Sequence, residues 1–130
     1  MPLVVPRANN RIILGLMTFG PDPDTGARVT DVGEFEKFLD YLQSRGYNEV
    51  DTARMYVGTK QEAFTREAKW KERGLTLATK VLYPAEPAGN TPEKVVDSVE
   101  KSLAALGTDT LDVSSQHLDG KYYTWELNLD

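Results

Sequence analysis

Glu49-Val50-Asp51-Thr52-Ala53-Arg54-Met55-Tyr56 carries an acid at the end of a short apolar strand and a tyrosine five residues later. Leu77-Ala78-Thr79-Lys80-Val81 repeats the pattern, with a lysine inside an apolar run. The only histidine, His117, follows a further strand-like segment. Acid, tyrosine, lysine and histidine thus stand at or just after strand ends, where parallel α/β sheets gather their chemistry.

Working outward, Arg11 to Met17 is a continuous apolar run that predicts a strand buried on both faces. Turn residues from Thr18 to Gly26 follow it. Asp31 with Glu34 reads as an N-cap and its partner, and Phe35, Phe38, Leu39 and Leu42 give the next helix one apolar face, closed by Gly46. Thr59 with Glu62 repeats the capping signature before Ala63, Phe64, Ala68 and Trp70, a second helix stopped by Gly74. Leu75 to Val81 is the third strand. Thr91 and Pro92 open a third helix lined by Val95, Val96, Val99, Leu103 and Leu106 and ended by Gly107. Thr110 to Val113 begins a fourth strand. Strict β-α alternation predicts a parallel sheet. Beyond Val113 the segment Ser114-Ser115-Gln116 is polar, and residues 118–130 show no clear period.

Composition narrows the function. The chain has 130 residues, 40% hydrophobic and 27% charged, with a formal net charge of −5. One domain is expected, and an acidic balance argues against a nucleic-acid partner. Without cysteine there is no disulfide framework and no thiolate chemistry. Residues 1–6 are too short and too interrupted by proline for a signal peptide, and no apolar run approaches the ~20 residues of a membrane span. The expectation is a soluble, cytoplasmic protein with no membrane partner.

On neighbouring strands, Asp51 and Lys80 can pair across the top of the sheet. Lys80 would then place positive charge beside Tyr56, which favours the phenolate and suits the tyrosine to general acid work. His117 offers a second hydrogen bond to the same substrate oxygen. Each residue alone has an ordinary explanation: a cap, a snorkelling lysine, a packing tyrosine, a solvated histidine. Their shared edge is what points to a site. Gly15 to Gly20 is neither G-x-G-x-x-G nor a P-loop, one histidine without cysteine argues against zinc, and no G-x-S-x-G elbow is present.

Leu14 to Gly20, Glu49 to Tyr56, Ala78 to Val81 and Ser98 to Gly107 together resemble the N-terminal half of an aldo-keto reductase, closest to the aflatoxin-aldehyde-reductase-like branch, over about residues 11–117. The resemblance implies an α/β fold, a partial (β/α)₈ TIM barrel with about the first four parallel strands and three helices, forming one partial domain over residues 1–130. It implies NADPH as cofactor and a small-molecule aldehyde or ketone as substrate. Tyr56 would be general acid, Lys80 its activator, Asp51 the holder of Lys80 and His117 the group orienting the carbonyl. Met17, Thr18 and Asp51 match residues that approach the cofactor. Gly120-Lys121-Tyr122 is similar to the Gly-Lys-Phe before the family's fifth strand. Such barrels need roughly 250 residues, so the reading is of a truncated chain, weakly active or inactive alone, with self-association through exposed sheet edges. The alternative is a non-catalytic interaction or regulatory fragment. A complete small doubly wound domain is disfavoured, because no phosphate-binding loop supports it.

Overall fold

Successive side chains of a strand point to opposite faces, and the apolar residues Leu14, Val50 and Leu77 decide which side of the sheet meets the helices. In the computed structural model, residues 10–81, 91–118 and 121–125 are described, with 115–118 and 121–125 described by their backbone. The lead-in before residue 10 and Gly120 of the Gly-Lys-Tyr match lie outside them. The strands and α-helices are β1 (Ile13–Gly15), α1 (Val32–Ser44), β2 (Glu49–Asp51), α2 (Gln61–Glu67), β3 (Thr76–Val81), α3 (Pro92–Leu106), β4 (Val113–Leu118) and β5 (Lys121–Trp125), with a 3-10 turn at Pro23–Thr25. The sheet runs β1-β2-β3-β4-β5. The first four strands are parallel, with Gly15 opposite Asp51, Asp51 opposite Ala78 and Lys80 opposite Ser115.

β5 is the departure. It pairs antiparallel with β4, Ser114 opposite Trp125 and Leu118 opposite Lys121. The edge of β4, expected to stand open, is therefore occupied by the following segment. Pairing with β5 satisfies the backbone groups that an unpaired edge would expose. β1 and β5 are the outer strands among the described residues.

Leu14, Val50 and Leu77 face the helices. There they meet a core of Leu16, Phe19, Phe35, Leu39, Leu42, Phe64, Trp70, Leu75 and Leu106. Phe35 is its hub, 4.6 Å from Phe19 and stacked at 5.5 Å on Phe64 between ring centroids. Asp31 caps α1 by accepting from the Glu34 amide at 2.8 Å, and Thr91 caps α3 by accepting from Lys94 N at 3.3 Å. Trp70 Nε1 donates to the Leu106 carbonyl at 3.0 Å and ties the segment after α2 to the end of α3.

The opposite face of the sheet is uncovered by any described element. Ile13, Gly15, Glu49, Asp51, Thr76, Ala78 and Val113 line a shallow groove there of about 370 Å³. Ile13 is 45% exposed and Met17 60%, which corrects the expectation of a first strand buried on both sides. The apolar run there reflects a face that a closed barrel turns inward. Two helix readings also change. α2 ends at Glu67, with Lys69 at φ 61° breaking the pattern before Gly74. In α3 the buried positions are Ser98, Ser102 and Leu106, while Val96 points outward. Small serines allow close approach where a valine stripe was expected.

Candidate active site

Asp51 ends β2 on the open face, and Lys80 lies on the adjacent strand β3, on the same face by the two-residue alternation. Lys80 is 7% exposed. Its Nζ donates to Asp51 Oδ2 at 2.6 Å and to the Thr52 carbonyl at 2.8 Å. A third contact runs to Tyr56 Oη at 3.5 Å, with the ammonium 5.2 Å from the centre of the ring. A buried ammonium needs such partners, since a lone charge there would be costly. The predicted triad of Asp51, Tyr56 and Lys80 is thus brought together around one nitrogen.

The loop carrying Tyr56 is built unusually. Val57, Gly58 and Thr59 take φ values of 50°, 58° and 71°, three consecutive left-handed residues. For a β-branched residue such backbone costs of order 1–3 kcal/mol. Val57 is buried, and a Cβ at Gly20 would lie 2.7 Å from its Cγ1, so Gly20 makes room for it. The loop is stitched to β3 by Thr52 N donating to Ala78 O at 2.8 Å and Arg54 N to Lys80 O at 3.1 Å.

Behind the sheet sits a polar group that the sequence reading missed. Glu62 was expected to complete a cap with Thr59. Instead α2 begins at Gln61, no side chain caps it, and Glu62 is fully buried. Its Oε2 accepts from Arg54 Nη1 at 2.9 Å and its Oε1 from Thr79 Oγ1 at 2.7 Å. Gln61 Oε1 accepts from Thr52 Oγ1 and, at 3.0 Å, from Thr65 Oγ1. The available signal is the charge of Arg54, three residues after the end of β2. Capping accounts for Glu62 equally well in the sequence, so that charge does not single it out.

Met17 and Thr18 lie in the loop after β1, beside Asp51, whose carbonyl accepts from Leu16 N at 2.9 Å. The Thr18 carbonyl accepts from Arg28 and Val29 amides at 2.7 and 3.1 Å. His117 belongs to β4, two residues beyond Ser115, the partner of Lys80. Its backbone lies beyond Lys80 toward the same end of the sheet, and its side chain lies outside the described part.

Comparison with known proteins bears on the family and the fold. The model described as the aldo/keto reductase family matches residues 11–127. Aldo-keto reductase pigE of Monascus ruber is 38% identical over 123 residues, covering 87% of this chain and 36% of its own length. An aldo-keto reductase from Klebsiella pneumoniae, solved in complex with NADPH, is similar at 26% identity and a TM-score of 0.59, over 84% of this chain and 36% of that one. One from Bacillus halodurans shares the fold with a TM-score of 0.63 at 24% identity, over 82% of this chain and 35% of that one. The chain spans about a third of the length of these relatives. With the family model matching from before β1 to beyond β5, the chain belongs to the aldo/keto reductase family.

Proposed function

We propose that the chain carries the proton-donating half of an NADPH-dependent carbonyl reductase site, acting on aldehydes or ketones in the cytoplasm. The single supporting observation is the Lys80 ammonium held between Asp51 and Tyr56. In this reading Tyr56 Oη gives its proton to the substrate oxygen. The phenolate that remains lies beside Lys80, a favourable charge contact in a half-buried setting. Asp51 fixes Lys80 in place and also offsets part of its charge, so its role is positional. His117 orients the carbonyl. The branch nearest the chain is the aflatoxin-aldehyde-reductase-like one.

NADPH supplies a hydride when bound. Asp51, Met17 and Thr18 suit one end of it, but the two cations built into the Tyr56 site are engaged, Lys80 with Asp51 and Arg54 with Glu62. Neither of these is left for phosphate groups. The described residues therefore fit only part of the cofactor, and the chemistry assigned to the chain stops at the proton. This 130-residue chain alone is expected to have little or no turnover. General acid catalysis contributes about 10²–10⁴-fold, while holding both reactants together is a separate and larger requirement.

A second reading, an interaction fragment that pairs with another chain or with its own copy, is favoured by the uncovered sheet face around Ile13 and Val113. Titrating NADPH at low salt, followed by fluorescence, separates the two. Weak binding that Asp51→Ala abolishes supports the partial reductase site, and absence of any binding supports the fragment.

A further inference from the structure

Glu62 is a fully buried carboxylate that the proton chemistry above does not use. Its two oxygens are engaged by different parts of the site. One holds Arg54, at the start of the Tyr56 loop; the other holds Thr79, the neighbour of Lys80 in β3. Arg54 closes the loop further, with Nη1 3.4 Å from the Thr59 carbonyl. Tyr56 and the left-handed run of Val57, Gly58 and Thr59 lie between those two points.

We infer that Glu62 is a positioning residue. From behind the sheet it clamps the strained Tyr56 loop to the strand bearing Lys80, and so sets the distance between tyrosine and ammonium. The inference rests on the reading of Tyr56 and Lys80 as the proton-donating pair. Simple stabilisation is a poorer account of this arrangement. Well-packed apolar residues replace a buried ion pair without loss of stability in many proteins, but they would not fix two elements at one separation. Charged hydrogen bonds at both oxygens would.

The test is a nuclear Overhauser contact between the Tyr56 ring and the Lys80 ε-methylene in the intact chain, compared with Glu62→Gln and with the double variant Arg54→Met/Glu62→Leu. The double variant removes both charges at once, so it stays informative where Glu62→Gln fails to fold. The expected result is loss of the contact while slow amide exchange in β3 persists, with Arg54→Lys, which keeps the charge, retaining the contact. Persistence of the contact in the double variant overturns the proposal. Joint loss of the contact and of β3 protection also overturns it, by making Glu62 a general support of the fold. Absence of the contact from the unaltered chain instead removes the Tyr56–Lys80 reading itself.

Discussion

Lys80 Nζ lies 2.6 Å from Asp51 Oδ2, although 29 residues separate the two in sequence. The parallel register that sets Asp51 opposite Ala78 makes the pairing possible. Asp51→Asn leaves Lys80 without its counter-charge. The expected loss of stability is about 1.5–3 kcal/mol, the range for hydrogen bonds to charged groups. It stays below the larger cost of breaking a fully enclosed pair, because Asp51 is 34% exposed in its side chain. Urea unfolding of the variant checks this. Tyr56→Phe, which removes only the long 3.5 Å contact, is expected to leave stability within about 0.5 kcal/mol.

Gly20→Ala is expected to destabilise the chain by about 1–3 kcal/mol through overpacking against Val57. The added methyl meets branched side-chain carbons of a residue whose backbone is itself strained. Combining Gly20→Ala with Val57→Ala should recover part of the loss. Thermal unfolding of the single and double variants measures the recovery.

Trp70→Phe keeps most of the apolar contact but leaves the Leu106 carbonyl without its donor. A cost of about 1–3 kcal/mol is expected for a buried group left unsatisfied. Amide exchange should quicken first at the C-terminal turn of α3 and in the segment after α2, ahead of β2 and β3.

The Lys60 ammonium, by hydrogen bonding, holds the Asp22 carboxyl below its usual range, helped by the Asp24 amide and opposed by desolvation. Because the folded value is lowered, the stabilisation is present above the ordinary carboxylate pKa and disappears as pH falls through the folded one. Lys60→Ala is therefore expected to lower the urea midpoint slightly at pH 7 and to make no difference in strong acid. Both residues face solvent, so added salt should shrink the effect at pH 7.

Local chemistry was legible where one residue sufficed. Asp31, Thr91 and Pro92 start helices as their types predict, and Asp51 and Lys80 meet because β-α alternation forces neighbouring parallel strands. What escaped depends on distant partners. Glu62 passes for a cap until Arg54 and Thr79 are seen to converge on it. The run around Ile13 reads as doubly buried, since apolar content does not say whether a second layer is present. The antiparallel pairing of β5 leaves no trace in a segment without period. His117 is placed by its strand alone, so its part in the site rests on register and resemblance.

The most direct test of the central claim, a proton-donating site without a complete cofactor cradle, is NADPH oxidation by the purified, monodisperse chain with 4-nitrobenzaldehyde. Tyr56→Phe is assayed in parallel. The account predicts rates for the two proteins that are equal to each other and to the protein-free background. Turnover by the unaltered chain that disappears in Tyr56→Phe would contradict it and make the chain a working reductase.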